Sequence, residues 1–293
     1  MVNRSQSRSR LKVTGDGRGV VGHAGARLLS DLADRVGLTA GLSTAMAPTK
    51  HRCRGHDRGR VLADLAVMIA DGGTAIADLA VLRDQPSLFG EVASTPTAWR
   101  TLEAIDDAAL NRIAQARAGA RRRVWAAGAD PGFYVIDLDA TLITSHSDKA
   151  GAAPTYKRGF GFHPLLAFLD GTGEALAGIL RPGNAGSNTA ADHVTVLTMA
   201  HAQLPVDPAA VEVIARADSA GLTHGFIDAC VNANVRFSVG HDLTEAVRAA
   251  CLAIPPGAWD RRSPRMAATT AMTPTSLRSP EWSTSSCGRP GRG

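Results

Sequence analysis

The chain has 293 residues, which is enough for two domains, and 44% of them are hydrophobic, as in globular proteins. Its formal net charge is +5, and the excess lies in the first sixty residues, where ten Arg and two Lys accompany four Asp, so we expect an anionic partner. No apolar run approaches the roughly 20 residues of a membrane span, and four cysteines without a CxxC pair exclude a disulfide framework or a zinc ribbon.

The N-terminal part of the sequence divides into a basic arm and a helical domain. We expect residues 1–23 to be a disordered arm, because NRSQSRSR is basic and polar. From 24 to 127, apolar residues recur at helical spacing, for example at Leu62, Leu65 and Ile69. The pattern predicts an all-helical domain that binds DNA, and the absence of a signal segment predicts a cytoplasmic protein.

The last helical pattern of this domain continues from Thr97 to Ala127, with Thr95 or Thr97 as its expected cap. It ends in the basic run Arg121, Arg122, Arg123. This run predicts a contact with DNA phosphates, although the charged surface of an ordinary helical bundle has the same pattern.

After residue 130 the sequence changes from helical to mixed periodicity. The segment Gly171–Gly173 is a compact turn that predicts an antiparallel hairpin between its neighbouring apolar runs. The predicted order is strand, hairpin, helix, strand, helix, strand, with elements at 133–143, 161–170, 174–183, 189–204, 211–219, 221–233 and 235–240. We therefore predict an α/β domain over 130–258 with the order of a ribonuclease H-like mixed sheet.

The C-terminal segment has a different composition. Residues 259–293 are rich in Ser, Thr, Pro, Arg and Gly and show no sustained periodicity, so we expect a disordered tail. The abrupt change near Trp259 favours a frameshift with an out-of-frame ending, which would leave the α/β domain incomplete at its C-terminus.

Three aspartates stand where apolar strands are predicted. In FYVIDLDATL, Asp137 and Asp139 point to the same face of a strand, about 7 Å apart. Asp218 closes a second apolar strand 79 residues after Asp139, so the two strand ends can be neighbours in one sheet. Carboxylates at adjacent strand ends are typical of a Mg²⁺ site for phosphodiester chemistry.

These aspartates are also compatible with two further roles. Asp137 or Asp218 could simply cap an element or pair with an arginine. DLDAT also fits haloacid dehalogenase-like phosphatases, in which Asp137 would be the nucleophile and Asp139 the general acid. That class expects a later acidic pair of the GDxxxD kind, and ADSAGLTH at 217–224 lacks the second acid.

The strings VIDLDATL, YKRGFGFHPLLAFLDGTGEALAGILRPGNAGSNTAADH and IARADSAG together resemble DDE transposases of bacterial insertion sequences, specifically the insertion-sequence 1380-type family. The resemblance implies that Asp139 and Asp218 are the first two acidic ligands of two Mg²⁺ ions, for which Mn²⁺ can substitute, with Asp137 as a further candidate ligand. It also implies that four residues lie near the site or the DNA: Tyr156, Lys157, Arg158 and His163.

The family pattern requires a third acid, a glutamate on a helix far downstream. Neither Glu245 nor Glu281 fits that motif. The resemblance therefore implies a transposase that acts on terminal inverted repeats and target DNA, as a homodimer on DNA, and the missing third acid predicts that it is defective in cleavage. The alternative is a noncatalytic DNA-binding remnant.

Overall fold

The computed structural model of the chain describes residues 22–50, 55–145, 148–186, 189–207, 209–255 and 258. These residues belong to two compact units, Met1–Asp130 and Pro131–Gly293. The predicted tail at 259–293 and all but the last two residues of the predicted arm at 1–23 lie outside the described residues. Within the described part, no helix is long and apolar enough to cross a membrane.

The first unit is helical, as predicted. Its α-helices are α1 (Ala24–Arg35), α2 (Leu38–Met46), α3 (Arg58–Ala70), α4 (Ala80–Arg83), α5 (Pro86–Phe89), α6 (Thr95–Glu103) and α7 (Asp107–Val124). Short 3₁₀ turns at Ala47–Thr49 and Ile76–Leu79 precede or follow them, and a π-helical turn at Trp125–Ala129 ends the unit.

The core of this unit surrounds α3. Val61, Leu79, Leu82 and Phe89 are fully buried in one cluster, and the burial of their apolar side chains stabilises the unit. Gly59 allows α2 and α3 to approach closely, because a Cβ there would lie 2.0 Å from the backbone nitrogen of Ser43. The close approach makes glycine the only residue that fits without moving α2.

The single helix predicted from Thr97 to Ala127 is wrong. The structure has two helices, and the break falls just before α7, where the Asp106 side chain accepts a hydrogen bond from Ala109 N at 2.7 Å. An aspartate at this place stabilises the start of a new helix rather than the continuation of the old one. The first of the two helices begins after Ser94, which does not donate or accept a side-chain cap bond.

The second unit contains the predicted α/β fold. Its strands are β1 (Tyr134–Ala140), β2 (Ile143–Thr144), β3 (Ala153–Pro154), β4 (Phe160–Phe162), β5 (Leu165–Leu169), β6 (Glu174–Ile179), β7 (Val213–Ala217) and β8 (Arg236–Val239). The main sheet has the order β6-β5-β1-β7-β8. β5 is antiparallel to β1 and to β6, whereas β7 is parallel to β1 and β8 is parallel to β7. This mixed order confirms the ribonuclease H-like fold class.

The hairpin between β5 and β6 is confirmed. Gly173 N donates to Leu169 O at 2.7 Å, and Gly173 adopts a φ of +68°, which glycine tolerates best. A second sheet of two- and three-residue strands, in the order β2-β4-β3, was not predicted.

Helices cover one face of the main sheet. The helices of this unit are α8 (Ala190–His201), α9 (His224–Asn232) and α10 (Glu245–Ala253), of which the last was not predicted. α8 contacts β1, β5 and β6, and α9 contacts β8. On β1, Ile136 and Leu138 are buried whereas Asp139 is exposed, so the aliphatic side chains face the helices and the aspartates face the other side.

Candidate metal centre at the edge of the five-stranded sheet

Asp139 and Asp218 lie side by side at the carboxyl ends of neighbouring parallel strands. β1 and β7 pair in register as far as Leu138 and Ala217, and each aspartate is the next residue along its chain. Neighbouring strands are about 4.8 Å apart, so roughly one strand spacing separates the two backbones here. The prediction that the two aspartates lie at adjacent strand ends is confirmed.

Both carboxylates are accessible for a ligand. Asp139 and Asp218 are exposed. Asp139 Oδ1 accepts a hydrogen bond from Ala140 N at 2.8 Å, and Asp218 Oδ1 accepts one from Ala220 N at 3.0 Å. Among the described residues, the second carboxylate oxygen of each aspartate accepts no hydrogen bond. Each side chain is therefore held by one oxygen, and the other oxygen is available to a cation.

The backbone around Asp218 is fixed by its neighbours. Asp218 has extended backbone angles and caps the 3₁₀ turn Ser219–Gly221. Gly240 N donates to Ala217 O at 3.0 Å, which ties the end of β8 to the end of β7. A Cβ on Gly240 would lie 2.9 Å from Ser219 N and 3.2 Å from the carbonyl carbon of Asp218. The capping role considered from the sequence is therefore observed, and it is compatible with metal binding by the second oxygen.

Asp137 is engaged by an arginine. Arg216 is its direct partner across β1 and β7, and the guanidinium donates through Nε and Nη2 to the two Asp137 oxygens at 2.6 and 2.7 Å. Arg216 Nη2 also donates to Asp170 Oδ1 at 2.9 Å. The hydrogen bond and charge of Asp137, aided by Asp170, raise the pKa of Arg216. The alternative that Asp137 pairs with an arginine is thus observed, and its role as a metal ligand stays a prediction.

Among the described residues, no third protein ligand joins Asp139 and Asp218. No group of three or more His, Cys, Asp or Glu side chains close enough to hold a metal occurs within the described ranges. Glu245 lies at the start of α10 with 82% of its side chain exposed, and it pairs with Arg248 at 3.4 Å. Glu281 lies outside the described residues. The arrangement can hold a cation through two carboxylates and water.

The predicted DNA-binding residues of the second unit differ in accessibility. Tyr156, Lys157 and Arg158 are exposed, and Lys157 Nζ lies 5.6 Å from the centre of the Tyr156 ring. His163 is only 4% exposed, its Nδ1 lies 3.2 Å from Ala185 O, and its ring lies 5.7 Å from that of Tyr156. The exposed residues can reach a phosphate directly, whereas the His163 ring contributes to packing beneath them.

Arg181 stabilises the backbone around His163. It is buried, and its guanidinium donates to His163 O at 2.9 Å, to Gly186 O at 3.2 Å and to Asp192 Oδ2 at 3.2 Å. A buried arginine paired in this way connects the end of β6 to the first turn of α8. Arg181 was not predicted from the sequence to have this role.

The basic run at the end of α7 is split between surface and interior. Arg122 and Arg123 are exposed, and Arg123 Nη1 donates to Val36 O at 2.8 Å. Arg121 is buried and has interactions of its own. Only two of the three predicted side chains are therefore presented to solvent, and the DNA contact stays a prediction.

Arg216 was not predicted from the sequence as part of the site. The spacing of the residues did contain a signal for this role: Arg216 lies two residues before Asp218, as Asp137 lies two residues before Asp139. Residues two apart on a strand share a face. If Asp218 pairs beside Asp139 on the neighbouring strand, Arg216 therefore lies opposite Asp137. The pairing could not be predicted without the register of the two strands, which the sequence does not show.

Comparisons with known proteins identify the family of this chain. The family model described as "Transposase DDE domain group 1" matches residues 3–289. Among solved structures, the Mos1 transposase paired-end complex with left transposon end is 10% identical, with a TM-score of 0.25, over 64% of this chain and 60% of that chain. The Mos1 mariner paired-end complex with Mn is 12% identical, with a TM-score of 0.26, over 64% and 61%. The match thus spans about 60% of the length of those chains, and a search of curated proteins found no match. Since the family model covers nearly the whole sequence, the chain belongs to the transposases with a group 1 DDE domain.

Proposed function

We propose that the function of this chain lies in DNA transposition, with Asp139 and Asp218 as the carboxylates that hold a divalent cation against a DNA phosphate. The observation that carries the proposal is the register of β1 and β7, which brings these two side chains to one edge of the sheet. The membership of the DDE transposase family supports the same assignment.

The residues present fit a hard divalent cation. Mg²⁺ prefers oxygen ligands, keeps several waters and needs only one or two protein carboxylates. Asp139 and Asp218 each offer one oxygen that accepts no hydrogen bond from the described residues. Mn²⁺ would occupy the same oxygens. An ion held there by Asp139 and Asp218 would supply Lewis-acid chemistry for a phosphodiester reaction.

The protein's own contribution is positioning and charge. The sheet fixes Asp139, and the capped turn with Gly240 behind it fixes Asp218. Neither side chain has to reorganise when a phosphate arrives, which is the main advantage of a preorganised site. Lys157 and Arg158 are exposed cations in the same unit and would bind DNA phosphates.

We further propose that the chain by itself is deficient in cleavage. In-line displacement at phosphorus is best served by two ions, and the described residues form no group of three or more side chains that could hold a metal. Asp137 shares their face, but both of its oxygens are engaged by Arg216. The same engagement argues against Asp137 as the nucleophile of a phosphatase. A DNA-binding remnant without catalysis is the second candidate function, favoured by this lack of a third group.

The partner is double-stranded DNA carrying the terminal inverted repeats of the element, and the target DNA. Twelve basic residues against four acidic ones before residue 61 support a role of the first unit in phosphate binding. We propose that the chain is of the insertion-sequence 1380 type and assembles as a homodimer on DNA, as the sequence resemblance implies.

A mobility-shift assay with the full chain tests the function. The probe is a duplex with the element's own terminal repeat, and the control is a shuffled duplex of equal length and composition. We expect the repeat to be preferred, and Asp218→Asn to bind it as tightly as the unsubstituted chain, because the carboxylate acts on the metal and not on DNA affinity. Equal binding of both duplexes at every salt concentration would contradict a transposase that recognises its ends.

A further inference from the structure

We propose that Arg216 is a positioning residue for the candidate metal site: by joining Asp137 and Asp170, it ties together the strand ends that carry Asp139 and Asp218, on the face where these aspartates lie. The inference rests on the proposed function, since it assigns a role to Arg216 through the two carboxylates.

The position of Arg216 within the sheet is the first observation. Arg216 and Asp137 are direct partners on β7 and β1, and each precedes a candidate ligand by two residues. Residues two apart on a strand lie on the same face, about 7 Å from each other. The ion pair is therefore one strand repeat behind the Asp139–Asp218 pair, on the same face of the sheet.

The geometry of the contact is the second observation. The guanidinium meets both oxygens of Asp137, at 2.6 and 2.7 Å, and its Nη2 also reaches Asp170 at 2.9 Å. Asp170 follows the last residue of β5, and Asp170 N donates to Val135 O at 2.9 Å. One side chain thus connects β7 to β1 and to the end of β5. A planar guanidinium can make such a fork, whereas a lysine ammonium cannot.

The need for such a connection follows from the topology. A hairpin receives its register from its turn, but β1 and β7 are parallel, and their paired residues are 79 positions apart in the chain. The buried residues of both strands set the register from the helix-covered face. On the opposite face, which carries Asp139 and Asp218, the Arg216–Asp137 pair is the cross-strand contact that holds the two strands together.

Stability alone does not explain the contact. Arg216 is 49% exposed, and solvent-exposed ion pairs contribute little to the free energy of unfolding. Arg236 and Glu212 form a comparable exposed pair at 3.0 Å, across β8 and the start of β7, at the other end of the same sheet. That pair is far along the strands from the aspartates and provides a matched control.

The test is a Mn²⁺ titration of the full chain, followed by the EPR signal of free Mn²⁺. We expect Arg216→Lys, which keeps the charge but loses the fork, to weaken Mn²⁺ binding about tenfold, as is typical for residues that orient metal ligands. Asp170→Asn should weaken it less, because the Asp137 contact survives. Arg236→Gln should leave the affinity unchanged, and none of the three should lower Tm by more than about 3 °C.

Two results overturn the inference. If only charge matters, Arg216→Lys binds Mn²⁺ as the unsubstituted chain does and Arg216→Gln binds it more tightly. If the arginine is merely structural, Arg216→Lys and Arg236→Gln change the affinity and Tm in parallel. A different result would contradict the proposed function itself. In that case Asp139→Asn and Asp218→Asn leave Mn²⁺ binding unchanged, or the unsubstituted chain binds no Mn²⁺.

Discussion

Asp139 and Asp218 stand next to each other because the pair Leu138–Ala217 directly precedes them on two parallel strands. Leu138 and Ala217 are buried on the helix-covered face, so the following residues face the opposite side. The apolar core of the sheet thereby sets the separation of two carboxylates that would repel each other without a cation.

Gly240→Ala should displace the turn that carries Asp218 without changing either carboxylate side chain of the candidate site. The new Cβ would lie 2.9 Å from Ser219 N and 3.2 Å from the Asp218 carbonyl carbon, so the capped turn has to move. We expect a loss of about 1–3 kcal/mol in the free energy of unfolding, measured by urea denaturation, and weaker Mn²⁺ binding.

Gly186→Ala is the control for that substitution. Among the described residues, its Cβ would meet Thr189 Oγ1 alone, at 3.7 Å, which is an ordinary contact. Equal Mn²⁺ affinity in the two variants would show that the approach of β8 does not position Asp218.

The helical unit should bind DNA through phosphates. Residues 1–130 include the basic first sixty residues and form one of the two compact units. With about six phosphate contacts, affinity should fall about a thousandfold between roughly 50 and 200 mM salt, since counterions are released on binding. Fluorescence anisotropy of a labelled duplex measures it. Binding that is indifferent to salt, or no binding at low salt, would count against this role.

Cys230 should resist thiol reagents. It is fully buried, and burial raises its pKa to about 12, so the reactive thiolate is scarce at pH 8. Cys251 is partly exposed and should react before Cys230. Mass-spectrometric mapping after treatment with iodoacetamide at pH 8 checks the difference.

The raised pKa of Cys230 also makes the stability of the protein depend on pH in the alkaline range. Below the unfolded-state pKa the Cys230 thiol is neutral in both states and does not affect the balance. As pH rises from about 9 toward 12, only the unfolded state ionises, so the free energy of unfolding falls. Cys230→Ala should remove this part of the pH dependence. Identical slopes for both proteins would contradict the buried, neutral thiol.

DNA cleavage and strand transfer should be absent when the purified chain is incubated with Mg²⁺ or Mn²⁺ and its element's terminal repeats. The two carboxylates of the proposed site would hold one ion, and no third candidate ligand among the described residues would anchor the second ion that displacement at phosphorus requires. Cleavage that disappears in Asp218→Ala would show that the site is complete by a route not visible among the described residues.

The strands and the site aspartates could be predicted from the sequence because both depend on local periodicity. Alternation along FYVIDLDATL assigns faces, and the end of an apolar run assigns the sheet edge. The Arg216–Asp137 pair could not be predicted, because the register of a parallel pair 79 residues apart is decided by tertiary packing.

Three other features could not be predicted, for physical reasons. The break before α7 lies within continuous helical periodicity, and only the Asp106 cap marks it. The strands β2, β3 and β4 contain two or three residues each, too few to show an alternation. The burial of His163 and Arg121 likewise depends on neighbours distant in sequence.

The most direct test of the central claim is the number of Mn²⁺ ions that the full chain binds, measured by EPR for the unsubstituted protein, Asp139→Asn and Asp218→Asn. The control is Asp228→Asn, which removes an exposed carboxylate from α9 in the same unit. We predict one weakly bound ion that is lost in both site variants and retained in the control, because each site aspartate contributes a ligand oxygen. Retention of that ion in Asp139→Asn and Asp218→Asn would contradict the assignment of this sheet edge as a metal centre.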